Sequence, residues 1–309
     1  MSLSIRQVRY FVAAADYGQI SQAAIELNVS QSAVTAAIKQ LEISLGERLF
    51  TRSTNGVLLT AEGARFLQHA RNIISAVNEA VHSPLSEDST QQGSITIGVT
   101  YTVAGYFMPR HYARFRRTYP RIHVELLEMR REDIERDVAA GHIDLAVMLV
   151  SNLRDYRAIA YETLLRSRRR LWVPPEHRLL SADLVTLEDV SREPYVMLTV
   201  DEASQTAGKY WEQTNARPQV IFNTSSVEAV RSMVATGMGV TILSDMVYRP
   251  WSLEGQRLET RNVSGDIPTM DVGVAWPRNH ALQPAAKTFI DFMSRAFGSA
   301  IHDDPLGSS

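Results

Sequence analysis

The amino-acid sequence predicts an α/β protein in which a small helical region precedes a larger region of mixed strands and helices. Its 309 residues are 45% apolar and 21% charged, which suffices for two or three domains with their own cores. Apolar residues recur at helical spacing up to about residue 82, whereas short apolar runs alternate with helical stretches beyond residue 93. The polar segment Ser83–Gly93, which contains proline and glycine, predicts a hinge between the two regions.

Composition and charge exclude several classes of chemistry. The chain has no cysteine, which excludes disulfides, thiolate nucleophiles, cysteine-ligated zinc and iron–sulfur clusters. With 32 basic and 34 acidic residues the formal charge is −2, so the charge of the whole chain gives no reason to expect nucleic-acid binding. No stretch approaches about 18 uninterrupted apolar residues and no secretory signal is visible, so we expect a cytoplasmic protein that does not contact a membrane.

Three short helices are predicted before residue 46. Each is a stretch with apolar residues at helical spacing, and a residue suited to cap a helix stands at its start or its end. Ser21 and Ser30 are expected as N-caps, and Gly18 and Gly46 are expected to end the first and third helices. The expected helices are Ile5–Tyr17, Gln22–Leu27 and 31–45.

The third of these helices has an apolar face and a polar face. The apolar face consists of Val34, Ile38, Leu41 and Leu45. The polar face presents Gln31, Thr35 and Lys39, with Ser32 beside it. Together with the cap residues Ser21 and Ser30, these residues are the DNA contacts expected on the helices. The second and third helices, joined by a tight turn, form a helix-turn-helix over about Ile20 to Lys39, whose polar face suits the major groove of DNA. Periodicity alone leaves a second interpretation open, because small three-helix units with a polar surface are common.

A two-stranded wing is predicted after Gly46. Two β-compatible runs flank a Ser-Thr-Asn-Gly turn, which is a hairpin signal. Arg52 and Thr54 on this wing are expected to hold the sugar–phosphate backbone of DNA.

A fourth helix follows Thr60 and carries apolar residues at heptad positions. These residues are Leu67, Ala70, Ile74, Val77 and Val81. Such a seam on a helix that leaves a small domain predicts pairing with a second chain. The alternative is that the seam packs on its own chain.

The order of these residues resembles the LysR-type transcriptional regulators. The stretch that carries the resemblance is Ala23-Ala24-Ile25-Glu26-Leu27-Asn28-Val29-Ser30-Gln31-Ser32-Ala33-Val34-Thr35, and further matches follow at Leu49-Phe50, Arg52, Leu59-Thr60, Ser94–Gly98, Phe115–Pro120, Gly141–Ala146 and Met233–Val240. The resemblance covers nearly the whole chain. Two positions depart from the family: Ser32 stands where proline is usual, and Ala36 where arginine is frequent, so one charged DNA contact of the family is missing.

The resemblance implies a domain plan. A winged helix-turn-helix DNA-binding domain spans residues 1–60, and a linker helix and hinge span 61–93. An effector-binding domain spans 94–309 and has two Rossmann-like lobes, as in a periplasmic binding protein. Lobe I takes about 94–165 and 269–300, and lobe II about 166–268. The implied partners are double-stranded DNA, a small-molecule effector and, as a candidate, RNA polymerase, and the implied assembly is a homodimer or homotetramer.

In the effector half, strands and helices are expected to alternate, and the first helix is expected over Gly105–Thr118. The expected strands are Ser94–Thr100, Arg121–Met129, Leu145–Val150, Arg170–Val173, Tyr195–Leu198, Val220–Phe222, Val240–Leu243 and Met270–Trp276. Ligands of such folds lie beyond the carboxyl ends of the strands. The residues expected there are Thr100, Tyr101, Thr102, Arg131, Thr199 and Asp201. Hydroxyls and a guanidinium suit an acidic effector, although Asp201 and Glu202 could instead meet an amine, and all these charges could face water.

We therefore expect an effector-responsive transcription regulator that binds an inverted-repeat promoter site and is not an enzyme. No nucleophile elbow, dinucleotide fingerprint or metal-binding histidine spacing is present, and no cofactor or metal is expected. The run Arg168-Arg169-Arg170 is expected to be solvated or to form an interface. The alternative function is a cytoplasmic solute-binding or sensor protein whose N-terminal helical unit only oligomerises.

Overall fold

The computed structural model describes residues 3–53, 56–82 and 91–297. The chain divides into two compact units, one reaching Leu85 and the other starting at Ser86. The predicted hinge Ser83–Gly93 falls at this division and lies mostly outside the described residues. No helix in the three described ranges has both the length and the apolar character that crossing a membrane requires.

The first unit combines helices with a β-hairpin. Its elements are α1 (Ile5–Tyr17), α2 (Ile20–Glu26), α3 (Gln31–Leu45), β1 (Phe50–Ser53), β2 (Gly56–Leu59) and α4 (Ala61–His82). They enclose one core, in which the ring of Phe11 lies 5.2 Å from the rings of both Phe50 and Phe66. Helices α2 and α3 form the helix-turn-helix, and the hairpin β1–β2 that follows them forms the wing. Because α1, the hairpin and α4 pack on the same core, the whole unit is a winged helix-turn-helix.

The caps of α1 and α3 are confirmed. Gly18 and Gly46 end these helices in the left-handed conformation, with φ of 64° and 73°. The hydroxyl oxygen of Ser30 accepts a hydrogen bond from the Ala33 amide at 3.2 Å and so caps α3. The start of α3, the helix that bears the polar face, is therefore set by the local side chain of Ser30.

Two expectations for these helices are wrong. Ser21 does not cap α2: only Gly18 and Gln19 separate this helix from α1, so it begins at Ile20 and Ser21 lies inside its first turn. Leu45 does not complete the buried stripe of α3, since it lies in the last turn and 37% of its surface is exposed.

The wing is held against the end of α1. Ser53 pairs with Gly56 across the hairpin, and the tip, residues 54–55, lies outside the described residues. The Val57 amide donates to the Gly18 carbonyl at 2.8 Å. Gly56 has φ of 139°, and a Cβ atom there would come within 2.1 Å of the Gly18 carbonyl oxygen. Only glycine fits this close approach.

The predicted dimerisation seam is partly used within the chain. Ala70 has no exposed surface, and Leu67 and Ile74 pack against the same core. Ala70 therefore cannot contact a second chain, because α4 lays this stretch against the core that it shares with α1. Val77 is half-buried, and the side chain of Val81 lies outside the described set.

The second unit alternates strands and helices as predicted. Its strands are β3 (Gly93–Val99), β4 (Ile122–Glu128), β5 (Leu145–Leu149), β6 (Ile159–Ser167), β7 (Arg169–Val173), β8 (Pro194–Leu198), β9 (Gln219–Thr224), β10 (Thr241–Ser244), β11 (Glu259–Arg261) and β12 (Met270–Pro277). Its helices are α5 (Tyr101–Tyr106), α6 (Met108–Thr118), α7 (Arg131–Ala139), α8 (Leu187–Ser191), α9 (Ala203–Glu212), α10 (Val227–Ala235) and α11 (Pro284–Phe297).

These strands build two lobes of similar topology. In lobe I the order is β4-β3-β5-β12-β6, with β3 parallel to β4 and β5, and β12 antiparallel to β5 and β6. In lobe II parallel β9-β8 joins antiparallel β10-β7-β11 through a bridge between Tyr195 and Val240. The chain crosses between the lobes after β6 and again before β12. Two Rossmann-like lobes joined by two crossovers are thus confirmed.

The helix expected over Gly105–Thr118 is in fact two helices, α5 and α6, with Phe107 between them at φ −117° and ψ −54°. Pro109 explains the break, because it has no N–H to donate to the carbonyl four residues before it. The strand β6, the short strand β11 and the helix α8 were not expected at all. The break matters for the site, because it leaves α5 as a separate six-residue helix at the cleft.

The arginine run is neither solvated throughout nor a nucleic-acid patch. The guanidinium of Arg169 donates to the carbonyls of Pro268 and Thr269, at 2.6 Å for the latter, and so ties one crossover to the other. Arg170 pairs with Asp245 at 2.5 Å. Burial lowers the pKa of Arg169. Arg169 therefore stabilises the junction between the lobes, whereas Arg170 and Asp245 form an ion pair within lobe II.

Candidate DNA-binding face and effector cleft

The polar face of α3 is fully presented to solvent. Val34 and Ile38 bury the opposite face against the core, at 0% and 5% exposure. Gln31, Thr35 and Lys39 are all exposed and, at a rise of 1.5 Å per residue, span about 12 Å, the width of a major groove. Their spacing therefore places three groups with hydrogen-bonding capacity on one line.

Most of this face has no competing partner. Within the described part of the chain, the side chains of Gln31 and Lys39 make no hydrogen bond or ion pair. The Thr35 hydroxyl donates to the Gln31 carbonyl at 2.9 Å, which leaves its oxygen free to accept. The hydroxyls of Ser30 and Ser32 lie 3.0 Å apart. The side chains of Gln31 and Lys39 are therefore available to an external partner, and the hydroxyls beside them bond only locally.

The structure describes only part of the other predicted DNA contacts. Ser21 is exposed in the first turn of α2. Arg52 lies on β1, but its side chain is outside the described set, and Thr54 lies in the undescribed tip of the wing. The backbone position of Arg52, paired with Val57 across the hairpin, is the part of this expectation that the structure describes.

In the second unit, the predicted effector residues of lobe I meet those of lobe II directly. Thr100 ends the loop after β3, and Thr102 lies in the first turn of α5. The Thr102 amide donates to the Asp201 carboxylate at 2.7 Å. Arg131, the first residue of α7, donates from Nε to Glu202 at 3.1 Å. The two sides that we expected to enclose an effector thus touch each other.

Arg131 is the centre of this contact. Its guanidinium is 3% exposed and also donates to Glu135 at 2.8 Å and to Glu132 at 2.9 Å. Burial alone would lower the pKa of Arg131, but the hydrogen bond and charge of Glu135, with the charge of Glu202, raise it above its ordinary value. The amide of Asn152 donates to the Asp201 carbonyl at 2.9 Å and to Glu202 at 3.1 Å. Every nitrogen of Arg131 therefore already serves a carboxylate of this chain.

Sequence reasoning missed Asn152 and Glu135. No motif marks either residue. Asn152 lies in a short 3₁₀ turn after β5, and Glu135 lies one helical turn beyond Arg131 on α7. The i, i+4 spacing of Arg131 and Glu135 is the one signal in the sequence that could have indicated their ion pair.

Thr100 differs from the other residues of the cleft. It is 2% exposed, and its hydroxyl oxygen has no hydrogen-bond partner among the described residues. A buried hydroxyl without a partner is unfavourable, so it is a candidate contact for a bound molecule. Tyr101 is 38% exposed beside it, and Thr199 is exposed on the facing lobe.

The far end of α5 contacts lobe II a second time. The Tyr106 hydroxyl donates to Glu228 at 2.8 Å, and Glu228 also pairs with the buried Arg231. Burial, with the hydrogen bond to Glu228, raises the pKa of Tyr106 to about 12. A pocket of about 410 Å³ lies here and is lined by Tyr101, Ala104, Gly105, Tyr106, Glu128 and Glu228. Helix α5 therefore touches lobe II at both of its ends.

Comparison with known proteins agrees with this geometry. Residues 5–64 match the family model described as bacterial regulatory helix-turn-helix protein, lysR family, and residues 88–298 match the LysR substrate binding domain. The RuBisCO operon transcriptional regulator of Allochromatium vinosum is 30% identical over 296 residues, covering 95% of this chain and 96% of that one. The uncharacterized regulator YvbU of Bacillus subtilis is 27% identical over 301 residues, covering 96% of this chain and all of that one.

A solved structure is similar over the same length. The crystal structure of HinK, a LysR family transcriptional regulator from Pseudomonas aeruginosa, has a TM-score of 0.62 and 26% identity, covering 96% of this chain and 99% of that one. These matches support the transcription regulator and not the solute-binding alternative. The chain belongs to the LysR family of transcriptional regulators, with a helix-turn-helix DNA-binding domain and an effector-binding domain.

Proposed function

We propose that this regulator binds an inverted-repeat promoter site through the exposed face of α3. The observation that carries the proposal is the line of Gln31, Thr35 and Lys39, which is presented on a helix whose other side is fixed in the core. Glutamine can bind adenine edges, and lysine can bind guanine or phosphate. Ser21, Ser30, Ser32, Arg52 and Thr54 flank this line and are proposed backbone contacts.

Two apolar surfaces support assembly through both units. In the first unit, Val77 is half-buried on α4 and lies beyond the part of the predicted seam that is used in the core. In the second unit, Val220, Ile221 and Phe222 are 40%, 49% and 41% exposed on β9, which pairs with β8 and has no further strand beside it among the described residues. Two separate self-association surfaces support a homotetramer, and a two-fold axis then requires an inverted-repeat DNA site.

The effector is proposed to lie between the lobes, in contact with Thr100, Tyr101, Thr102, Arg131, Thr199 and Asp201. The buried hydroxyl of Thr100, which has no hydrogen-bond partner in the described part of the chain, supports this placement. Since the lobes are joined by two crossovers, a ligand between them can shift their arrangement by its difference in affinity for the two states. An acidic effector fits the threonines and Arg131 if its carboxylate replaces those of Asp201 and Glu202. Cytoplasmic location stays a prediction from the sequence, and contact with RNA polymerase stays a prediction of the family resemblance.

In vitro selection tests the DNA-binding proposal. The full chain is used to select duplexes from a random pool, and footprinting on the enriched sequence locates the contacts. We expect two half-sites in inverted orientation, with centres about one helical turn or a multiple apart. Failure to enrich any sequence, or enrichment of one unsymmetrical site, would contradict the proposal.

Light scattering tests the assembly. Val77→Asp should reduce the mass by breaking the pairing through α4, and Phe222→Asp should do so by breaking the pairing through β9. Each introduces a charge into an apolar contact. Leu253→Asp is the control, because Leu253 is also apolar and 77% exposed but lies on neither surface. Equal masses for all three variants would contradict the proposal.

A further inference from the structure

The turn that follows β8 has an unusual backbone. Asp201 and Glu202 are consecutive, neither is glycine, and both have positive φ, at 50° and 56°. Residues with a Cβ atom adopt this left-handed conformation rarely, and they keep it where surrounding contacts hold them. The contacts that hold these two residues should therefore reveal what the turn does.

Those contacts come from the opposite lobe. Asp201 accepts from the Thr102 amide, and Glu202 accepts from Arg131 and Asn152. All three donors belong to lobe I, whereas the turn belongs to lobe II. The Thr102 amide lies in the first turn of α5, where no intrahelical acceptor exists, so Asp201 is what satisfies it.

Burial makes these contacts more than a surface ion pair. The side chain of Arg131 is 3% exposed and that of Glu202 is 17% exposed. Hydrogen bonds between charged groups that are shielded from water are stronger than exposed ones. An acid that is to reach the Thr102 amide or Arg131 must take the place of a carboxylate that is already there.

We propose that the Val200–Glu202 turn is a built-in latch of the effector cleft, whose two carboxylates hold lobe II on lobe I when no effector is bound and thereby set the regulator's output. This inference rests on the proposed effector site between the lobes. The left-handed backbone is what allows successive carboxylates to reach two different anchors, Thr102 and Arg131.

Hydrogen exchange at the Thr102 amide reports the latch without any ligand or DNA. Asp201→Gly removes one carboxylate and suits positive φ, so the turn can keep its conformation. Glu202→Gln removes the other charge and does not touch Thr102. We expect exchange at Thr102 to rise by about tenfold or more in the first variant, as loss of a charge-assisted bond implies, and to rise measurably in the second because the turn moves as one unit.

Glu132→Gln is the matched control. Glu132 also binds Arg131, at 2.9 Å, but it lies in lobe I and its side chain is 63% exposed. It should leave Thr102 exchange at the wild-type level. An unchanged rate in Asp201→Gly, a rise confined to Asp201→Gly, or an equal rise in Glu132→Gln would overturn the latch.

A reporter gene behind the selected DNA site tests the regulatory part. Without added ligand, Asp201→Gly and Glu202→Gln should both shift reporter output from wild type by about twofold or more, and Glu132→Gln should not. Wild-type output from both latch variants, despite faster exchange at Thr102, would overturn the regulatory role. Since the exchange experiment needs no operator, failure of the latch is distinguishable from failure of the DNA-binding proposal.

Discussion

The DNA-binding face and the effector cleft are both lined with polar side chains, but their partners differ. On α3, Gln31 and Lys39 are exposed and make no side-chain contact among the described residues. In the cleft, Arg131 is buried and serves three carboxylates of its own chain. The first surface is ready for a partner without rearrangement, whereas the second must exchange internal contacts for external ones.

This difference has an energetic consequence. A side chain that makes no contact in the free protein can be replaced with little effect on folding, so its loss appears in binding alone. A side chain at the centre of a buried ion-pair network contributes to folding first, and its loss leaves charges without partners. All four tryptophans, at positions 172, 211, 251 and 276, lie in the effector domain, so tryptophan fluorescence reports unfolding of that domain.

The largest effect is expected for Arg131→Ala. It removes the guanidinium that neutralises the carboxylates of Glu135 and Glu202 in a largely buried site, and it should lower the free energy of unfolding by about 3–5 kcal/mol. Urea denaturation followed by tryptophan fluorescence measures it. Arg130→Ala is the control, because the neighbouring Arg130 side chain is 81% exposed and its pair with Asp133 should contribute little. Similar values for the two variants would remove the distinction between cleft and surface.

Acid should destabilise the effector domain through His111. Burial, with Arg110 and Arg114 nearby, lowers the pKa of His111 from 6.5 to about 4. The unfolded chain therefore binds this proton first, and stability is lost as the pH falls from about 6.5 towards 4. The loss should reach at most about 3 kcal/mol. In His111→Gln this part of the pH dependence should disappear; an unchanged pH profile of the unfolding free energy would contradict the assignment.

On the DNA side, Lys39→Ala should weaken operator binding with no change in unfolding. One lost base or phosphate contact is expected to cost about 1–3 kcal/mol, and a phosphate contact would also reduce the salt slope by about one counterion. The chain offers a matched control, since its other lysines are Lys209 and Lys287. Lys209→Ala should bind operator as wild type does. Titrations at several salt concentrations would refute the assignment if both lysine variants behaved alike.

The smallest effect on folding is expected for Thr100→Val. Its hydroxyl makes no hydrogen bond to any residue that the structure describes, so the free energy of unfolding should change by less than about 1 kcal/mol, while the effector response is lost. Thr241→Val is the control: that hydroxyl is fully buried and donates to the Val196 carbonyl at 2.9 Å, so its loss should cost about 1–3 kcal/mol. Equal losses would mean that Thr100 has a structural partner after all.

The two regions also differ in how far the sequence predicted them. Local sequence signals predicted the bounds of α1, the Ser30 cap and the exposed face of α3. Each of these depends on apolar periodicity and on capping residues that lie close together in the sequence. The cap prediction for Ser21 is wrong because the two-residue link between α1 and α2 is too short to show in such signals. The contacts of Asp201 with Thr102 and of Glu202 with Arg131 join residues 99 and 71 positions apart. They depend on two left-handed acidic residues, which no local pattern indicates.

The most direct test of the account is operator binding by a variant that carries Gln31→Ala, Thr35→Ala and Lys39→Ala together. Fluorescence anisotropy on the selected site, at one fixed salt concentration, compares it with the wild type. We predict that affinity falls by about a hundredfold or more, because three contacts on one face are removed, while circular dichroism shows the same unfolding curve for both proteins. Wild-type affinity in the triple variant would contradict the claim that α3 reads the DNA.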